Sequence, residues 1–309
     1  MTSAAEFRLK STPQRRSPAR IPSEYPPPPP RSADTDSDAS LCVLASGSKG
    51  NAGLLVVTTE GRRHAVLLDC GLSPRHTFGA LKSAGLTPND LSAVVLTHLD
   101  ADHFKPAWVR SMPRHTPVYI HRSHRGRAQR QHYFTPTTLL FDDAFDLAGG
   151  RLGVRVEPLL LAHDQLGVAT FRITLPNGAS IGYATDLGRP TPSLASHLAG
   201  VDVLAIESNY CPRLQEASPR PAFLKQRITN GGGHLSNQQA AKVTSQIAPR
   251  EHVVLLHLSR ECNTPELAAQ DHADNPYSLT ISDQFIPTPW IAARPARATA
   301  PAPAAGARG

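Results

Sequence analysis

The sequence predicts an α+β fold in which layered sheets carry helices on the outside. Three observations carry that prediction. Short aliphatic and β-branched runs recur between about residue 41 and residue 256, separated by Gly, Pro, Asn and Asp turn signals. Helical patterns fall between some of those runs and do not replace them. Both ends of the chain differ in composition from the middle.

The ends set the expected domain boundaries. Residues 1–39 are rich in Pro, Ser and Arg and include the run Pro26 to Pro30. Such a stretch cannot bury enough apolar surface to offset its ordering entropy, so it is expected to be a disordered tail. Residues 285–309 are rich in Pro, Ala and Arg and are expected to form a second loose tail. The folded body is then 40–284, one domain with a sizeable core and no internal repeat.

Within that body, Leu41–Ala45, Leu54–Thr58, Ala65–Leu68 and Ala93–Leu96 read as strands, and the Gly-rich link Ser46 to Asn51 separates the first two. Later strands are expected at Val154–Pro158, Val168–Leu175, Ser180–Ala184, Val203–Ile206 and Val253–Leu256. Helices are expected at Pro74–Ala84, Ser236–Gln246 and Thr264–Gln270, with Ser236 and Thr264 as caps.

Composition excludes several classes. The longest apolar runs, such as Ala93 to Leu96, are far too short to span a bilayer. No amino-terminal apolar stretch has signal-peptide length, so a cytoplasmic protein with no membrane partner is expected. Cys42, Cys70, Cys211 and Cys262 are widely spaced, which fits reduced, buried thiols better than a disulfide framework or a Cys-type zinc site. The net charge is +7, and six arginines lie between Arg110 and Arg130 in a stretch (Lys105–Leu140) without Asp or Glu. That segment reads equally as a solvated basic face or as a phosphate contact through Arg122, Arg125 and Arg127.

The chemistry concentrates after the strand Ala93–Leu96, where His98, Asp100, Asp102 and His103 follow Thr97 within six residues. A loop at the end of a buried strand is a rigid place for a site. Imidazole and carboxylate are ligands for Zn²⁺, Mn²⁺ or Fe²⁺, and so many of them crowded together call for a cation. His163, Asp186 and His257 each follow a later strand-like run. One such residue is usually an ordinary hydrogen-bonded side chain; a series of them at strand ends points to a shared centre.

On these residues the sequence resembles the metallo-β-lactamase superfamily, whose signature is His-x-His-x-Asp-His followed by His, Asp and His at later strand ends. The segments Ser46-Gly47-Ser48-Lys49-Gly50-Asn51, Asp69-Cys70-Gly71-Leu72-Ser73, Gly233-His234-Leu235-Ser236-Asn237 and His257-Leu258-Ser259 resemble its YycJ/WalJ-type branch. The resemblance covers about residues 41–270. It implies an αββα four-layer sandwich, a hydrolase activity and, for the branch, 5′-to-3′ exonuclease action on DNA.

The resemblance also assigns roles. His98, Asp100 and His163 would hold a first metal, and Asp102, His103 and His257 a second, with Asp186 bridging. Asp69 would orient the metal loop from behind. Two such ions would activate a shared water, with Asp102 or Asp186 orienting it and His234 serving the leaving group, as a similarly placed His does in the ribonuclease Z group. A plain helix-capping segment also accounts for the His234 context. Lys49 in the Ser/Gly loop is a further substrate contact, although a tight turn explains the loop nearly as well.

The chain departs from the signature at Asp100, which stands where most members carry the second His. A carboxylate there adds negative charge and shifts the expected preference toward Mn²⁺ over Zn²⁺. Three readings stay open on sequence: a phosphodiesterase acting on DNA, a hydrolase of a small ester, lactone or cyclic phosphodiester, and a non-catalytic metal- or nucleic-acid-binding protein.

Overall fold

The computed structural model describes residues 38–163 and 165–296. The expected amino-terminal tail lies outside the described residues except at its end, where Asp38 and Ala39 are already structured. Each of two sheets contains seven strands among the described residues.

The first sheet is built from β1 (Ala39–Ala45), β2 (Ala52–Thr59), β3 (Arg62–Leu68), β4 (Leu91–Val95), β5 (Val118–His121) and β6 (Thr138–Phe141). The second contains β7 (Phe145–Asp146), β8 (Arg155–Leu161), β9 (Val168–Thr174), β10 (Ser180–Ala184), β11 (Val203–Glu207), β12 (His252–Leu256) and β13 (Ser278–Ile281). β14 (Ile291–Ala292) returns to the first sheet and pairs antiparallel with β1. The strand orders are β14-β1-β2-β3-β4-β5-β6 and β13-β12-β11-β10-β9-β8-β7.

The expected body therefore stops too early at 284. Ile291 is buried, and the β14 pairing covers the outer edge of β1. A Pro- and Ala-rich composition hides this, because two ladder residues leave no periodicity to detect.

The helices are α1 (Pro74–Ser83), α2 (Trp108–Ser111), α3 (Arg125–Arg130), α4 (Pro192–His197), α5 (Pro212–Ala217), α6 (Ala222–Thr229), α7 (Asn237–Ile247) and α8 (Pro265–Gln270). Ser236 caps α7 reciprocally with Gln239, and Thr264 caps α8, as their sequence contexts predict.

Side-chain alternation explains the layers. Leu55 and Val57 of β2, with Val203 and Ala205 of β11, enter the core between the sheets. Leu54 and Val56 face the opposite way, toward Leu81 of α1 and Trp108 of α2. Leu204 and Ile206 likewise meet Leu194 of α4 and Val243 of α7 on the far side. Both faces of the central strands are dry, so their sequences are continuous apolar runs. The result is the αββα sandwich.

The topology also decides where chemistry collects. β3, β4, β5 and β6 run parallel, as do β10, β11, β12 and β13. Their carboxyl ends open on one edge of the sandwich, and β8 ends there too, since it and β10 both run antiparallel to β9. No helix among the described residues is long and apolar enough to cross a membrane. All four cysteines are buried and free.

Candidate metal centre

The ligand-type residues of the sequence converge at that edge. Asp69 follows β3, His98 to His103 follow β4, His163 follows β8, Asp186 follows β10 and His257 follows β12. Asp69, Asp186 and His257 have φ of +66°, +52° and +56°. Left-handed backbone at non-glycine residues is uncommon and is held by the surrounding structure, which here turns each side chain sharply off its strand toward the others.

Asp69 is fully enclosed and organises the loop after β4. Its Oδ1 accepts from the Thr97 backbone N–H at 2.8 Å and from the Thr97 hydroxyl at 2.9 Å. Its Oδ2 accepts from His103 Nδ1 at 2.8 Å, which leaves Nε2 as the ligand atom of that ring. The loop closes when the amides of His103 and Phe104 bond back to the Asp100 carbonyl. Gly71 allows it to dock: a Cβ there would lie 1.7 Å from the Asp102 carbonyl oxygen.

Asp186 stands at the centre. Its Oδ2 lies 2.5 Å from His103 Nε2 and 3.8 Å from His98 Nε2. Its Oδ1 lies 2.6 Å from His257 Nδ1 and 3.5 Å from His234 Nδ1. The two oxygens thus face two groups of rings, His103 and His98 on one side and His257 and His234 on the other. Three sets of donor atoms lie mutually within 4.8 Å: His98 with His103 and Asp186, His98 with Asp100 and His163, and Asp186 with His234 and His257. Asp102 sits at the edge, its Oδ2 3.8 Å from His103 Nε2.

These residues fit divalent ions by the behaviour of their polar atoms. Both Asp186 oxygens and His257 Nδ1 are buried in short contacts with the neighbouring rings and carboxylate that lack hydrogen-bond geometry, and His163 Nδ1 is buried without a hydrogen-bond partner. Buried polar atoms are costly unless satisfied, and lone pairs aimed at one another are satisfied by a cation between them. Burial and the neighbouring His103 push His98 well below the ordinary imidazole range, the neutral form a ligand needs. Burial would do the same to His103, but Asp186 and Asp69 outweigh it and hold that ring well above the usual range. An ion on Nε2 would displace that proton, so binding is linked to proton release. Burial raises the Asp186 carboxyl, yet His257 and His103 prevail and keep it well below the usual carboxylate range.

Sequence reasoning missed several residues that complete the centre. Glu207, at the end of β11, is fully buried; its Oε1 lies 2.6 Å from His234 Nδ1, and its Oε2 accepts from the Leu187 and Leu235 amides. Burial opposes a charge on His234, but Glu207, with Asp186 and Asp102, lifts it to about 9. The Asn51 side-chain amide lies 2.9 Å from His103 Nε2, and the Ser46 hydroxyl accepts from the His257 amide. The one available signal was position: Glu207 ends a strand just as Asp186 follows one.

Two clefts meet at the cluster. The larger, about 1090 Å³, includes Lys49, Arg220, Arg227, His234 and Arg260. The smaller, about 460 Å³, includes His124, Arg127, Arg130 and Gln131, and both share His98, Asp100, His163 and Arg227. Of the expected substrate contacts, Lys49 and Arg127 reach these clefts. Arg122 and Arg125 line neither; Arg122 is exposed and paired with Asp142.

Comparison with known proteins accords with this geometry. The family described as "Beta-lactamase superfamily domain" matches residues 64–258. The exodeoxyribonuclease YycJ of Bacillus anthracis is 30% identical over 232 residues, covering 73% of this chain and 84% of that protein. The exodeoxyribonuclease WalJ of Streptococcus pneumoniae is 26% identical over 230 residues, with the same coverage. Among solved structures, the metallo-β-lactamase fold protein YhfI of Bacillus subtilis superposes with a TM-score of 0.61 at 16% identity, over 81% of this chain and 99% of its own. A long-form RNase Z from yeast gives 0.57 at 14% identity, over 84% of this chain and 42% of its own; both show the shared fold. The chain belongs to the β-lactamase superfamily, in its YycJ/WalJ-like branch, and is a hydrolase of the metallo-β-lactamase fold with a divalent-metal centre.

Proposed function

We propose that this hydrolase is a phosphodiesterase that degrades DNA as an exonuclease, with two divalent ions at the strand-end cluster. The observation that carries the reading is the junction of two arginine-bearing clefts at the ligand cluster, with His234, held from behind by the buried Glu207, on its rim. A polyanion can follow both clefts past one set of ligands. The printed names of the two curated relatives, both exodeoxyribonucleases, support the same substrate class.

His98, Asp100 and His163 would hold one ion, and Asp102, His103 and His257 the other, with Asp186 between them. When bound, such ions lower the pKa of water and neutralise charge on a phosphoryl group. The protein's own residues do the rest. Asp69 and Thr97 fix the ring of His103. Glu207 holds Nδ1 of His234, so that Nε2 is the ring atom left to give a proton to the departing oxygen. Lys49, Arg220 and Arg260 line the larger cleft, where they can contact backbone phosphates.

The test uses the purified, metal-loaded full chain on end-labelled duplex and single-stranded DNA, beside bis-p-nitrophenyl phosphate, a thioester and nitrocefin. Expected are stepwise nucleotide release, DNA affinity that falls steeply with salt, and no activity in Asp186→Ala. Turnover of the small ester alone would move the substrate to small molecules. No turnover with any metal would leave a binding protein.

A further inference from the structure

Asp100 occupies the position where the family signature has its second histidine, and its two oxygens are engaged differently. Oδ1 accepts a hydrogen bond and ion pair from Nη1 of Arg127, in α3. Oδ2 faces the cluster, 3.8 Å from His98 Nε2, and Asp100 belongs to the donor set with His98 and His163. Arg127 is itself held in place. Its Nε donates to Gln131 Oε1 at 3.4 Å, and the next residue, Ala128, is fully buried in the outer core.

An imidazole ligand presents one neutral donor atom. A bare carboxylate presents two oxygens and a full negative charge. Arg127 removes both differences, since its guanidinium occupies one oxygen and cancels the charge. We infer that Asp100 and Arg127 together replace the absent imidazole as one neutral, single-donor ligand unit. Arg127 is then a positioning residue that keeps the metal preference close to that of a histidine-bearing centre. The Mn²⁺ preference expected for a bare carboxylate applies to the chain without Arg127, not to the chain as it stands. Arg127 lies on the same helix as Arg130, which also lines the smaller cleft, so its pairing with Asp100 separates it from a purely substrate-binding role.

The inference rests on reading the cluster as a metal centre, and the test distinguishes the two. Zn²⁺ and Mn²⁺ dissociation constants are measured by competition with a chromogenic chelator for the wild type, Arg127→Gln, Asp100→His and the double variant, each checked for an intact melting transition. Arg127→Gln is expected to shift the affinity ratio toward Mn²⁺ on the order of tenfold, the size seen when a ligand's supporting partner is removed. In the Asp100→His background the same substitution is expected to leave the ratio unchanged. Arg127→Lys, which keeps the charge, is expected to return the ratio toward wild type. An equal shift in both backgrounds, or no shift in either, overturns the inference. So does a higher KM for DNA in both backgrounds with the ratio unmoved, which would make Arg127 a substrate contact. If the wild type takes up neither ion, the metal reading itself fails.

Discussion

The two halves of the cluster are built differently. Behind His103 the site is enclosed: Asp69 and His103 are fully buried, Thr97 binds both, and Asn51 packs against the ring, while only Asp102, at the edge, meets solvent. Around Asp100 the protein is open, with 27% of the side chain exposed and its partner Arg127 on an outer helix. The contrast separates two tasks. The closed half holds geometry through short-range contacts that tolerate little change. The open half meets solvent and both clefts, and there charge rather than packing sets the properties.

Substitutions can break that contrast or sharpen it. The largest effect is expected in the closed half from Gly71→Ala. The added Cβ would lie 1.7 Å from the Asp102 carbonyl oxygen, and backbone cannot yield as a flexible side chain can. A loss of about 3 kcal/mol is expected, read as a lower denaturation midpoint together with reduced metal content. An unchanged midpoint would mean the loop docks more loosely than the structure shows.

Asp69→Asn comes next. It keeps the shape but removes the charge facing His103 Nδ1, and about a 10- to 100-fold loss of metal affinity is expected, measured by chelator competition. Intact affinity would show that Asp69 serves the fold alone.

The smallest effect is a pH shift on the rim. Glu207 raises His234 to about 9 against the effect of burial. A proton donor with a raised pKa is active below that pKa and loses activity as pH rises through it. The wild-type kcat/KM profile should therefore fall at a higher pH than that of a variant without the Glu207 charge. Glu207→Gln should move the falling limb toward the ordinary imidazole range near about 6.5, while the amide can still accept from the Leu187 and Leu235 N–H groups. A limb that stays in place would remove His234 as the donor.

Much of this organisation was legible in the chain. The nine expected strands are present with small shifts at their ends, and the three expected helices sit beneath their caps. They were readable because each carries its own local signal, either an apolar run buried on both faces or a capping residue at the right offset. β5, β6, β7, β13 and β14 were not foreseen: two to four residues carry too little pattern, and they exist because a neighbouring strand offers an unpaired edge. The short α2 to α6 escaped for a similar reason, being held by single buried side chains such as Trp108 and Ala128.

The candidate ligands divide along the same line. The residues His98, Asp100, Asp102, His103, His163, Asp186 and His257 could be picked out because metal chemistry admits few side-chain types and this topology places them after strands. Glu207, Asn51 and the Asp100–Arg127 pair could not. Their meaning comes from what they face, and those partners lie 27, 52 and 27 positions away along the chain. The sequence by itself determined which donor atoms exist and that they cluster at strand ends, since composition and local periodicity are short-range properties. Only the tertiary structure decided how Asp186 shares its oxygens and which carboxylate is neutralised by which cation, because those depend on distances between segments that the order of residues does not specify.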